Sequence, residues 1–152
     1  MYPRLHKNLK EDLKQHLRRK GFKVAPEVWA LFKKAESENW EKRGELLKRA
    51  DVGAIDEKGR HVAYAVETKL KTIAKGIGDC IFYQYFAHKT YLVIPSDVYE
   101  TLKESDESLL MFILKRTGIG LLLIRNGEVS EKEAAKETEP LCSWDWLETH
   151  AK

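Results

Sequence analysis

The sequence predicts an α/β protein, a central mixed β-sheet flanked by helices. Three observations predict it. Short runs of β-branched, aromatic and small residues at 50–55, 61–70, 90–95 and 121–125 alternate with longer stretches whose apolar residues recur every three or four positions. The run Thr90-Tyr-Leu-Val-Ile-Pro95 has almost no polar positions, as a strand covered on both faces requires. Between the first two runs, Asp56-Glu-Lys-Gly59 supplies a tight reversal, so an antiparallel hairpin joins the sheet.

Composition sets the bounds. At 152 residues the expectation is one domain over 1–152, long enough to bury a core. Charged residues make up 34% and hydrophobic ones 43%, which excludes a disordered chain. No apolar run approaches the ~18 residues of a membrane span, and the charged start from Arg4 lacks an apolar signal region. Cys80 and Cys142 form neither a CxxC nor a dense framework, so a reducing cytoplasm is expected. Net charge is only +3, yet residues 1–20 carry seven Lys or Arg against Glu11 and Asp12. That concentration suits a phosphate-binding surface.

The opening segment is an amphipathic helix that stops before Gly21. Leu5, Leu9, Leu13 and Leu17 form its apolar stripe, and Arg4, Lys7, Lys10, Lys14 and Arg18 run along an adjoining face. These cations either contact a DNA backbone or form the solvated side of a packed helix. Phe22 to Phe32 reads as a strand interrupted at Pro26, with Glu27 facing solvent or a pocket. The charged stretch Lys33 to Lys48, with Trp40, is a helix or a long excursion.

In the hairpin, Val62, Tyr64, Val66 and Thr68 point to one side of the second strand. Ala63, Ala65, Glu67 and Lys69 point to the other, a poor core face but a plausible floor for a polar pocket. The turn lies midway between Asp51 and Glu67, so the reversal brings the two acids together. Paired carboxylates beside an amine suit a hard cation and an anionic substrate.

A helix follows over Gly76–His88, with Ile77, Ile81, Phe82, Tyr85 and Phe86 for packing and His88 placed to meet its C-terminal dipole. Asp79 and Tyr83 lie one turn apart on another face; their structural reading is an acid near the helix N-terminus and a core tyrosine. After strand 90–95, Ser96 caps a helix over Asp97–Thr117 whose core face is Val98, Leu102, Leu109, Phe112 and Ile113. Gly118-Ile-Gly120 ends it, Leu121 to Arg125 is a buried strand, and Asn126-Gly127 is a turn. The acidic tail closes with Trp144-Asp-Trp146-Leu147, a terminal lid or a dimer contact. Phosphate-loop, dinucleotide, HExxH and zinc-finger spacings are absent from the sequence.

Asp51 with Glu67-Thr-Lys69 resembles the signature of the PD-(D/E)xK nuclease superfamily, the restriction-endonuclease-like fold, with Ala50 in place of the family proline. The resemblance implies an αβββαβ core, here with an added helix and strand. It implies a Mg2+-dependent (or Mn2+-dependent) deoxyribonuclease in which Asp51, Glu67 and the Thr68 carbonyl hold the metal and Lys69 serves the reaction. It also implies DNA as partner. Members carry a Gly-Gln-x-x-x-Tyr pattern on the next helix; this chain has Gly78-Asp79-x-x-x-Tyr83, with Gln84 one place along. Asp79 and Tyr83 therefore join the catalytic candidates, and Glu11 is a candidate for an extra carboxylate from the first helix. Lys7, Lys10, Lys14, Arg18, Lys71 and Lys75 are the candidates for nucleic-acid contact. Cutting two strands with one small domain leads to the expectation of a homodimer. Two other readings are a nuclease-fold subunit that binds DNA or assembles without turnover, and an interaction domain docking an acidic protein.

Overall fold

The structure, a computed structural model, describes residues 2–25, 50–141, 144, 147, 148 and 151, with side chains from Asn8 onward. Most of the segment read as the first strand, including Pro26 and Glu27, lies outside the described residues, as do Trp40, Cys142, Trp146 and the side chains of Arg4, Leu5 and Lys7.

The described strands form one sheet: β1 (Lys23–Val24), β2 (Val52–Ile55), β3 (His61–Val66), β4 (Lys89–Pro95), β5 (Gly120–Arg125) and β6 (Glu128–Glu133), in sequential order. The pairs β1–β2, β2–β3 and β5–β6 are antiparallel, while β3–β4 and β4–β5 are parallel, so the predicted mixed α/β sheet is what forms. The β2–β3 reversal falls on residues 56–59 as expected. One Asp56 carboxylate oxygen accepts from the Lys58 and Arg60 N–H groups, each at 2.9 Å, and Gly59 takes the left-handed φ of +81° that closes the turn. The Asn126-Gly127 turn likewise has positive φ at both residues, +51° and +80°. It leads into β6, an acidic edge strand absent from the sequence reading because EVSEKE carries no apolar alternation. Its exposed charges guard the sheet edge.

Helices cover both faces. α1 (Tyr2–Arg19) lays Leu9, Leu13 and Leu17 on Val62, Tyr64 and Val66. Each fully buried leucine of that stripe contributes roughly 1.5–3 kcal/mol. The opposite face carries α2 (Ile73–Tyr83) and α4 (Glu104–Thr117), which pack Cys80, Tyr83, Leu110 and Leu114 with Ala63, Ala65, Leu92 and Leu121. Two right-handed crossovers stepping the same way across a sheet leave both helices on one side, as observed. No helix among the described residues is long and apolar enough to cross a membrane.

Several expectations need correction here. The Ala63 and Ala65 face is core, with both residues fully buried, because small side chains let α2 approach closely. Strand β3 ends at Val66; a 3-10 turn, Leu70–Thr72, then leads into α2, which starts at Ile73 and stops at Tyr83. Ile81, Phe82 and Tyr85 are exposed, and Ile73, Gly76, Cys80 and Tyr83 make the buried stripe. The helix predicted over 97–117 is two: α3 (Ser96–Glu100) and α4. Pro95 holds the N-cap position of α3, and Ser96 is helical and makes no capping bond. In α4 the expected period holds but the buried face differs: Leu110 and Leu114 are buried, whereas Leu109 and Phe112 are about three-fifths exposed. His88 lies beyond the end of α2, and its Nδ1 accepts the His61 N–H at 3.0 Å, tying the starts of β3 and β4. Burial, then the charge of His61, lowers its pKa. Trp144 and Leu147 are fully buried, with the Trp144 ring 4.4 Å from that of Phe86, so they complete the core.

Candidate acid site at the carboxyl edge of the parallel strands

The β2–β3 register pairs Val52 with Tyr64 and Gly53 with Ala63. Extended by one residue, it sets Asp51 opposite Ala65, on the α2 side of the sheet. Glu67, two residues beyond Ala65, leaves β3 on the same side. The carboxyl ends of parallel strands are where α/β sheets place ligands, and both acids lie at that edge. Main-chain bonds hold them there: Asp51 N–H donates to the Tyr64 carbonyl at 3.1 Å, and Glu67 N–H donates to the Val93 carbonyl at 2.9 Å. The Asp51 carboxylate accepts the Val66 N–H at 2.8 Å, so its side chain is anchored one residue from Glu67.

Glu67 is only 6% exposed. Burial raises its pKa first, and the charges of Asp51 and Asp79 push the same way, against the Thr72 side chain and the Lys75 ammonium. Its side chain lies against α2 at Gly76, where a Cβ would come within 2.7 Å of both Glu67 Cγ and Leu92 Cδ1. A glycine inside a helix costs about 1 kcal/mol relative to alanine. Here it opens the space that the acid occupies.

Asp79 is 8% exposed and accepts from the Lys75 ammonium at 3.0 Å. It is the seventh residue of α2, so the dipole of a helix N-terminus does not account for it. The order Lys75 then Asp79 is also the less favourable sense for an i, i+4 pair. The cluster explains the pairing better: the Lys75 pKa is raised by the bond to Asp79 and by the fields of Asp79, Glu67 and Asp51. Tyr83 is buried beside the Phe86 ring, and burial followed by Asp51 and Asp79 drives its pKa up, which keeps the hydroxyl protonated.

The structure therefore gathers Asp51, Glu67, Asp79, Tyr83 and Lys75. The sequence offers Lys75 as a nucleic-acid contact; its tie to the acids is legible there only in its i, i+4 spacing from Asp79. Lys69 is half-buried and opens the 3-10 turn, its carbonyl accepting both the N–H and the hydroxyl of Thr72 at 3.2 and 3.0 Å. Thr68 is buried, and its hydroxyl is without a hydrogen-bond partner among the described residues. Gln84, the alternative to Asp79, instead donates to the Thr117 carbonyl at 2.7 Å and joins α2 to α4. Glu11 pairs with Lys14 at 3.5 Å on α1, across the sheet from Glu67. Lys10, Lys14 and Arg18 share that far side, whereas Lys71 and Lys75 lie on the α2 side.

Known structures resemble this arrangement in fold. A protein of unknown function from Silicibacter pomeroyi superposes with a TM-score of 0.54 at 17% identity, over 87% of this chain and 72% of that one. An XisH family protein from Nostoc punctiforme gives 0.53 at 15% identity, over 80% of this chain and 95% of that one. Pyrococcus furiosus SfsA in complex with Ca2+ gives 0.39 at 14% identity, over 88% and 64%, too slight a likeness to argue from. The likeness is of fold alone. The mixed six-stranded sheet with flanking helices is itself consistent with the restriction-endonuclease-like fold. No protein-family model matches the sequence, and no curated protein matches it.

The donor chemistry bears on a metal. Among the described residues no trio of His, Cys, Asp and Glu side chains is arranged to hold an ion. Mg2+ commonly takes one or two carboxylates and completes its shell with water and substrate phosphate. Asp51 and Glu67 fit that smaller set: both present hard oxygens, and mutual repulsion at a buried edge is relieved by a dication.

Proposed function

We propose that the protein is a metal-dependent endonuclease that hydrolyses DNA phosphodiester bonds. The observation that carries this reading is the pair Asp51 and Glu67, anchored one residue apart through the Val66 N–H at the carboxyl edge of the parallel strands. In it, Asp51, Glu67 and the Thr68 carbonyl hold Mg2+ or Mn2+. A bound dication supplies an acidified water and neutralises charge on the pentavalent phosphorus centre. Lys69 presents its ammonium to the phosphate. Asp79 fixes Lys75 beside the acids, where a second cation adds to the same field. Tyr83, held protonated, serves as a hydrogen-bond donor to the carboxylates rather than as a base.

The test is cleavage of supercoiled and branched DNA with and without Mg2+, paired with thermal melts. Wild type should cut only with the metal, and Asp51→Asn, Glu67→Gln and Lys69→Ala should each lose at least about 100-fold in rate. Mg2+ should raise the melting temperature of wild type but not of Asp51→Asn or Glu67→Gln. Asp51→Asn should melt at or above the wild-type temperature without metal, since the amide oxygen still accepts the Val66 N–H while a repelling charge is gone. A variant that keeps full activity while losing much of its stability would remove Asp51 from the site.

A second reading has an observation of its own. Lys75 already neutralises Asp79, and no three-ligand group forms among the described residues, as in a nuclease-fold subunit that binds DNA without cutting it. Salt-sensitive DNA binding with no turnover under any divalent metal would select it.

A further inference from the structure

Outside the acid site, the outer face of α4 stands out. Leu109 and Phe112 are 58% and 59% exposed at the middle of the helix, on the side away from buried Leu110 and Leu114. Helical spacing sets Ser105 and Ser108 before them and Arg116 after them on the same stripe. Arg116 lies over the Phe112 ring, 5.7 Å from its centroid, so the guanidinium is held at the stripe. Charge is split end to end. The first turn carries Glu104, Asp106 and Glu107, the last turn Lys115 and Arg116. Glu107 accepts from the Tyr99 hydroxyl and Lys115 pairs with Glu133 at 3.2 Å, so Glu104 and Asp106 at one end and Arg116 at the other are the charges turned outward.

We propose that this face is a self-association surface on which a second copy of the chain docks with its α4 antiparallel. The stripe is complementary to itself. A two-fold axis passing between Leu110 and Met111 sets Leu109 of one copy against Phe112 of the other, and it brings each acidic first turn to the other's basic last turn. The two helix dipoles then oppose, which favours the same arrangement. The small Ser105 and Ser108 side chains let the helices come close. An isologous contact of this kind closes on itself and yields a dimer rather than a fibre. An acidic protein or a nucleic acid would meet repulsion at the first turn, which argues for a second copy as the occupant. Ile81 and Phe82 of α2 and Tyr85 just beyond it are exposed on the same side of the sheet, and the Gln84 bond to Thr117 joins the two helices at their C-terminal ends. The contact is confined to one helix face, so a weak, concentration-dependent dimer is expected.

Sedimentation of the full chain from low-micromolar to sub-millimolar concentration tests this. Wild type should pass from monomer to dimer across that range. Leu109→Asp and Phe112→Asp should each weaken association by about 100-fold or more, because a two-fold interface carries every substitution twice. Circular dichroism and the melting temperature should stay near wild type, since both side chains are solvent-facing. Two charge variants leave the apolar stripe intact: one with Glu104→Lys and Asp106→Lys, the other with Arg116→Glu. Each alone should be monomeric, and an equimolar mixture should form a heterodimer. A wild type that stays monomeric throughout overturns the proposal. So does a dimer that survives Phe112→Asp, or a charge-variant mixture that fails to associate.

Discussion

Glu67 pays a cost in ionising that its own position imposes. Burial raises its pKa above the ordinary 4.5, with Asp51 and Asp79 adding to the effect. An acid with a raised folded pKa holds its proton more tightly when folded than when unfolded. Its contribution to stability is therefore best below the ordinary value and falls as pH rises through the folded pKa. In metal-free buffer, Glu67→Gln should melt above wild type at neutral pH, with the gap closing as pH approaches 4.5. Thermal melts over roughly pH 4 to 8 check this. A gap that stays constant, or widens towards acid, would mean that Glu67 is not held where the structure has it.

At the scale of the element, α2 is shaped by the acid beneath it. Gly76 and Gly78 look alike in sequence, both being helix-interior glycines, but they differ in space. A Cβ at Gly76 meets Glu67 and Leu92 at 2.7 Å, while at Gly78 nothing lies within 4 Å. Gly78→Ala should thus stabilise by up to about 1 kcal/mol through helix propensity. Gly76→Ala should cost about 1–3 kcal/mol through overpacking and displace the Glu67 carboxylate. Paired denaturant titrations of the two variants measure the contrast, and equal effects would contradict it. Lys75 belongs to the same element. Its bond to Asp79 links the outer turn of the helix to the acids beneath, which propensity alone would not select.

At the scale of the whole molecule, the sheet separates two basic groups. Lys10 and Arg18 belong to α1 on one face; Lys71, in the 3-10 turn, and Lys75, on α2, belong to the other, where Lys75 reaches the acids. On the proposed function, nucleic acid at Asp51 and Glu67 would meet the second group. Lys71→Ala and Lys75→Ala should each weaken DNA binding uniformly across sequences and lower the slope of log K against log salt by about 1. Lys10→Ala and Arg18→Ala should leave that slope unchanged. The reverse result would put DNA on the α1 face and separate binding from the carboxylates.

Local chemistry is enough to read the middle strands of the sheet, though not the acidic edge strand β6, which carries no apolar alternation. The turn at Asp56–Gly59, the unbroken apolar run of β4 and the leucine stripe of α1 each declare themselves within a few residues, because period, turn chemistry and burial are short-range signals. The return of Asp51 to the end of β3, two residues before Glu67, is legible for the same reason, since a hairpin fixes its own register. What each helix faces is not. Leu109 and Leu110 are adjacent and chemically alike, and only the direction in which α4 meets β5 decides which is buried. Nor does sequence show that Ala63 and Ala65 are small to admit α2, or that Gly76 is bare to admit Glu67. Those choices depend on contacts between residues far apart in the chain, so they are settled only when the helices pack on the sheet.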